Sequence, residues 1–175
     1  MGRLRSPALF CAMKRETLQH PFEPVWDAGC RVLVLGTFPS VKSRENAFYY
    51  GHPQNRFWRM LGMVYEEAAP ITIAEKCDFL LRHQIALWDV IRGCDIQGSA
   101  DSAIRNAVPN DLPALLAKCP IDTVLLNGKT AGKIFLKYWK DLPVRRITLP
   151  STSPANAACS MEMLVFAWKS ALKSK

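Results

Sequence analysis

An α/β fold, with a parallel sheet covered by helices on both faces, is what the sequence predicts. Two observations lead there. Short aliphatic and β-branched runs alternate with helix-period segments four times along the chain, the pattern of a parallel sheet with crossover helices. The 175 residues, 49% hydrophobic and 22% charged, suit one soluble domain with its own core.

The elements follow in order. Residues 1–19 show no clean period and are expected to be a tail or a short helix, with a single domain over 20–175. His20-Pro21-Phe22-Glu23-Pro24-Val25 carries two prolines and should be extended. Arg31-Val32-Leu33-Val34-Leu35, stopped by Gly36, reads as a strand buried on both faces. A polar and aromatic loop runs from Thr37 to His52. Pro53 suits a first helical turn, and Phe57, Leu61 and Val64 extend a helix over about 53–65. Thr72 and Glu75 match a capping box, and Ile73, Cys77, Leu80 and Leu81 give that helix its apolar face.

A second strand is expected over 85–91, followed by a Gly- and Ser-containing loop through Asp101. Asn110, Asp111 and Pro113 announce a short helix bearing Leu115 and Leu116. The third strand spans 121–126. Ala131, Ile134, Phe135 and Tyr138 mark the next helix, 144–149 the fourth strand, and Met161, Leu164, Val165, Trp168 and Leu172 the last helix. Ligands of such folds bind at the carboxyl ends of the strands. That rule gives weight to the loops 36–55, 92–106 and 150–159, and to the turn at Asn127-Gly128.

Lys and Arg number 23 against 15 Asp and Glu, a net charge of +8 with a pI near 9.4. The excess fits a polyanionic partner, and equally a basic protein without one. Cysteines 11, 30, 77, 94, 119 and 159 form no CxxC pair and join no His at finger spacing. Neither zinc nor an iron–sulfur cluster is expected, and the simplest reading is reduced thiols in the cytoplasm. No apolar run approaches the length needed to span a bilayer. Met1-Gly2-Arg3-Leu4-Arg5-Ser6 matches a loose myristoylation pattern, but a basic start explains it as well.

Several chemistries drop out. Gly128-Lys129-Thr130 has Thr123 where a phosphate loop needs its first glycine. Gly36 opens no GxGxxG. His52-Pro53-Gln54 lacks the Glu of a zinc deaminase, and no GxSxG elbow is present. His52 reads as a packing or capping residue in preference to a catalyst.

What remains is an aromatic, polar set. Among Phe48, Tyr49 and Tyr50, a ring at a strand's carboxyl end could sandwich a planar base or merely plug the core. Asn55 could hold a water or a base edge at a helix start, or simply serve as a helix-start residue. Ser151-Thr152-Ser153-Pro154-Ala155-Asn156 allows close approach to a phosphodiester, or is an ordinary capping loop. Lys42 and Lys129 suit phosphate contact.

Together these segments resemble the uracil-DNA glycosylase superfamily. Gly36-Thr37-Phe38-Pro39-Ser40 stands at its first motif and Ser151 to Asn156 at its second. The run Phe48-Tyr49-Tyr50-Gly51-His52-Pro53-Gln54-Asn55-Arg56-Phe57-Trp58 is similar to the mismatch-specific branch, and more so to the hypoxanthine-DNA glycosylase branch. That branch also shares Leu87-Trp88-Asp89-Val90 and the 99–104 region. The resemblance covers roughly 20–170 and implies a three-layer α/β/α sandwich around a four-stranded parallel sheet, with no metal and no cofactor. It implies Asn55 as the catalytic residue and Tyr50 stacked on the flipped base. Gly36, Thr37, Phe38, Pro39 and Asn127 would bind the base. Ser40, Lys42, Ser151, Thr152, Ser153, Pro154, Ala155 and Asn156 would hold the DNA.

The first motif carries Phe38 where the best-known members have Asp or Asn, and Ser151 replaces the second-motif His, which argues against strong uracil excision. The implied activity is monofunctional hydrolysis of a deaminated base from double-stranded DNA by a monomer. A non-catalytic nucleic-acid module and a small-molecule nucleoside hydrolase are the rival readings.

Overall fold

The computed structural model describes residues 16–173. The expected tail over 1–15, with the myristoylation-like start, lies outside the described residues. So does Cys11.

Four strands, β2 (Val32–Gly36), β3 (Ile85–Asp89), β6 (Thr123–Asn127) and β7 (Arg145–Leu149), form one parallel sheet in the order β3-β2-β6-β7. Side chains alternate across it, as the period of a strand demands. Val34, Ile85, Leu87, Leu125 and Leu149 enter one core. Leu33, Leu35, Ala86, Val124 and Leu126 enter the other. The first core is closed by α2 (Phe57–Tyr65), α3 (Ile73–Arg82) and α6 (Met161–Lys173). The second is closed by α4 (Leu112–Leu116) and α5 (Lys129–Trp139). This is the expected α/β/α arrangement. A short α1 (Val41–Glu45) follows β2.

A second, three-stranded antiparallel sheet was not expected. It consists of β1 (Glu16–Gln19), β4 (Ile91–Ile96) and β5 (Arg105–Pro109) in the order β1-β4-β5. Residues 16–19 are therefore a strand, not part of a tail or short helix. The expected strand over 85–91 is divided: β3 ends at Asp89, and Ile91 begins β4. The segment His20 to Val25 is extended as expected. His20 N–H donates to the Arg92 carbonyl, and Val25 bridges to Leu87.

Two helix starts carry the chemistry anticipated for them, and one does not. Thr72 and Glu75 form the full capping box on α3, and the Asp111 side chain caps α4. Helix α2 begins at Phe57 and not at Pro53; residues 53 and 54 form a turn ahead of it. Asn55 thus precedes the helix, where its side-chain oxygen accepts the Phe57 N–H at 3.0 Å.

Trp168 on α6 is fully buried, packs edge-on against Phe57, and donates its indole N–H to the Pro150 carbonyl at 3.1 Å. It joins the last helix to the loop after β7. Trp168→Ala is expected to cost about 3–5 kcal/mol, read as a lowered urea midpoint with an unchanged slope.

Candidate functional site

The carboxyl ends of β2, β3, β6 and β7 open into one cleft of about 920 Å³. Among the residues singled out from sequence, its lining includes Gly36, Thr37, Phe38, Pro39, Ser40, Tyr50, Asn55, Asn127, Ser151, Thr152, Ser153, Ala155 and Asn156. Lys42 and Pro154 are outside the lining. Lys42 is exposed on α1 and pairs with Glu45 at 2.7 Å; Pro154 is exposed on the loop. His52 lies outside it too, its Nδ1 accepting the Gln54 N–H. The cleft also takes in Asp89, Asp101 and Lys129.

The three neighbouring rings divide their work. Phe48 and Tyr49 are buried in the core. The Tyr49 hydroxyl donates to the Glu23 carbonyl, and the Tyr49 carbonyl accepts the Trp58 indole N–H. Tyr50 takes a left-handed backbone, φ 53°, which turns it from the core to the cleft wall. Its ring lies 4.1 Å from that of Phe57, centre to centre. The Tyr50 hydroxyl is buried without a hydrogen bond of normal geometry. It sits over Gly36 beside Asp89 and the Asn127 amide. Burial, with the Asp89 and Asp101 carboxyls adding to it, holds this phenol above the ordinary tyrosine range, so it stays neutral.

Gly36 is required here. A Cβ on it would fall 2.4 Å from the Asp89 carboxyl oxygen and 2.9 Å from the Tyr50 hydroxyl. Gly128, at φ 101°, lets the turn after β6 pass against Ser151.

The central polar feature is a chain of side chains linking three loops. The Asn127 amide donates to the Thr152 hydroxyl at 3.0 Å, and the Thr152 N–H donates back to Asn127 Oδ1 at 3.0 Å. The Thr152 hydroxyl in turn donates to Asn55 Oδ1, also at 3.0 Å. Asn55 Oδ1 therefore accepts two hydrogen bonds, from Thr152 and from Phe57 N–H. An amide oxygen has two lone pairs. With both engaged, Asn55 is fixed in one orientation and offers the cleft its Nδ2 donor.

Next to it, Arg56 turns its guanidinium away from the cleft. It donates to the carbonyls of Cys159, Ser153 and Asn156. Its own N–H bonds the Thr152 carbonyl at 3.1 Å. Four carbonyls of the 151–159 loop are thus held by one residue. Asn156 closes the loop from within by donating to the Ser151 carbonyl.

Across the cleft, the Thr37 hydroxyl donates to Asp101 at 3.1 Å, and the Ser99 hydroxyl accepts Val41 N–H. Asp101 as a residue is exposed, but its carboxyl turns inward. Burial raises its pKa from the usual carboxylate range, the Thr37 bond lowers it, and Asp89 raises it further. Asp89 stands at the last position of β3, in the Leu87-Trp88-Asp89-Val90 run, two residues short of where the strand was expected to end. Asp101 lay in a loop already given weight, without being named. Lys129 opens α5 at the cleft rim, exposed. No group of three or more His, Cys, Asp or Glu able to hold a metal exists among the described residues.

A parallel sheet with helices on both faces, and a donor amide and a ring sharing a cleft at its strand ends, define an α/β protein with its site at the carboxyl edge of the sheet. The Uracil DNA glycosylase superfamily profile matches residues 24–172, and the chain belongs to that superfamily. It is 36% identical over 114 residues to a Hypoxanthine DNA glycosylase of Methanosarcina barkeri, covering 64% of this chain and 72% of that protein. To a Hypoxanthine DNA glycosylase of Methanosarcina acetivorans it is 32% identical over 141 residues, 79% and 89% of the two chains. It also resembles the solution NMR structure of a Methanosarcina acetivorans protein described provisionally as a uracil DNA glycosylase. There the TM-score is 0.78 at 29% identity, over 90% and 98% of the chains.

Thr152→Val removes the donor that fixes Asn55 and the acceptor for Asn127. It should lower stability by about 1–3 kcal/mol in urea unfolding, and free the Asn55 side-chain amide to rotate, seen as broadening of its NMR signals.

Proposed function

We propose that this protein hydrolyses the bond between deoxyribose and a deaminated base flipped out of duplex DNA, with hypoxanthine the first candidate and uracil or xanthine also possible substrates. The observation that carries the reading is the fixed Nδ2 of Asn55, presented in the same cleft as Tyr50. Membership of the superfamily and the names of the two relatives support it.

The chemistry follows from that geometry. As the bond to C1′ breaks, positive charge grows on the sugar and negative charge on the departing base. A donor held in place before the reaction stabilises that charge without having to reorient. Asn55 supplies it to an oxygen or ring nitrogen of the base. Because its oxygen is doubly engaged, it bonds the base and does not hold water. Backbone N–H groups in the 37–40 turn add donors on the opposite wall. Tyr50 stacks on the base. The 151–156 loop, made rigid by Arg56, grips the strand beside the lesion, and Lys129 meets a phosphate. Flipping costs least for a mispaired base, which supplies part of the selectivity.

The enzyme is monofunctional: water takes the sugar and an abasic site remains. It works as a monomer on double strands, in the cytoplasm, and needs no metal. No described helix is long and apolar enough to cross a membrane, and the five cysteines among the described residues stand unpaired.

A panel of duplexes, each with one deaminated base, tests the reading when treated with protein and then with alkali. Breaks are expected at deoxyinosine, and only after alkali. Asn55→Ala should lose about 100- to 1000-fold in single-turnover rate while retaining duplex binding. A parental rate in that variant, or a covalent complex trapped by borohydride, would overturn the assignment of Asn55 or the monofunctional mechanism respectively.

A further inference from the structure

His20 and Asp89 form a buried pair beneath the cleft. Their side chains are 3% and 5% exposed, and His20 Nε2 lies 2.8 Å from Asp89 Oδ2. The other ring nitrogen, Nδ1, lies 2.7 Å from the Phe22 carbonyl oxygen. A carbonyl only accepts, so Nδ1 carries a hydrogen. The 2.8 Å contact needs a second one, on Nε2 or on Oδ2.

The pair is therefore an imidazolium beside a carboxylate, or an imidazole beside a carboxylic acid. Either way its net charge is zero, and the shared proton lies on the Oδ2 side. The remaining oxygen, Oδ1, is a bare acceptor in both states. It sits over Gly36 next to the Tyr50 hydroxyl, and Asp89, Gly36 and Tyr50 all line the cleft.

We infer that Asp89 Oδ1 reads the ring N–H of a deaminated base, and that His20 is the positioning residue that keeps this oxygen an acceptor. The inference rests on the glycosylase reading and names the base edge it selects. Deamination converts adenine N1 and cytosine N3 from bare acceptors into N–H donors, and the neighbouring amine into a carbonyl. Asp89 accepts from the new N–H while Asn55 Nδ2 donates to the new carbonyl. Adenine or cytosine in the same place would set a lone pair against Oδ1 and an amine against the Asn55 amide. Both clashes reject the undamaged base. Guanine shares the N–H edge, so its rejection falls to the cost of extracting it from its pair.

Other groups facing the pair leave this logic intact. The rings of Phe22, Phe38 and Tyr49 surround His20. Tyr49 and Tyr50 stay neutral, raised by burial and by Asp89. Asp101 is a neighbouring carboxyl, and Glu23 approaches only through Tyr49. No other imidazole contacts Asp89 among the described residues.

Four variants test the pair in the full chain: Asp89→Ala, Asp89→Asn, His20→Leu and the double variant His20→Leu with Asp89→Asn. Single-turnover release is measured from duplexes carrying deoxyinosine, or deoxyadenosine mispaired with cytosine, between about pH 5 and 9. Asp89→Ala is expected to lose hypoxanthine release by about tenfold or more. Asp89→Asn should keep most of it, since the amide donates to His20 Nε2 and leaves its oxygen facing the base.

In His20→Leu, Asp89 loses the partner that holds its proton on the Oδ2 side. A proton taken up by the carboxyl can then sit on Oδ1, and without that proton Oδ1 is an acceptor. Hypoxanthine release should therefore fall at low pH and recover as pH rises, while adenine stays rejected by the Asn55 amide. The double variant has no carboxyl to titrate and should lose this pH dependence. A purely structural His20 would lower the rate equally at every pH.

The inference is overturned if Asp89→Ala keeps the parental rate, or if His20→Leu follows the parental pH profile. Should His20→Leu fail to fold, judged by thermal melting, the contrast between Asp89→Ala and Asp89→Asn decides alone. If the parent itself releases no base from any deaminated duplex, the glycosylase reading fails, and this inference with it.

Discussion

The double acceptance by Asn55 Oδ1 is the interaction on which the site depends. An unrestrained amide can present oxygen or nitrogen to a ligand with similar ease. Thr152 and the Phe57 N–H remove that freedom. The consequence extends beyond one side chain. Thr152 is held by Asn127 at the end of β6, and the Phe57 N–H belongs to the first turn of α2. The orientation of a single amide is thereby referred to a sheet strand, a helix and the loop after β7. Arg56 repeats the principle at larger scale, tying the loop to the residue next to Asn55.

Much of the fold was legible because a strand buried on both faces leaves a continuous aliphatic run. Val32 to Leu35 and Val124 to Leu126 are of this kind. The small sheet was not legible. Its strands read ETLQ, IRGCDI and RNAVP, with charged, glycine and proline residues interrupting any alternation. Their pairing is set by partners far along the chain: Glu16 meets Ile96, and Gln19 meets Gly93. The start of α2 misled for a different reason. Pro53 suits a helix's first turn, but the chain turns at 53 and 54 before Phe57, and Asn55 caps from outside.

The site was legible in its loops and less so in its floor. Aromatic and polar residues clustered at expected strand ends, so Tyr50, Asn55, Asn127 and most of the 151–156 segment could be named. Asp89 sits at the end of a strand otherwise filled with apolar residues, where a carboxyl gives no periodic signal. Its partner His20 is separated from it by 69 positions and stands in a proline-containing segment that reads as mere connection. No spacing rule links the two; the pairing of β1 with β4 and the bridge from Val25 to Leu87 on β3 bring them together.

That wide separation makes the cleft a joint product of distant parts of the chain. The parts of the cleft and its floor are drawn from His20 near one end to Asn156 near the other, and α6 must still pack behind them. A stretch that stops short of residue 150 lacks Thr152, and with it the hydroxyl that orients the Asn55 amide and the partner of Asn127. The direction of that one amide is a property of the whole described fold and of no shorter piece of it.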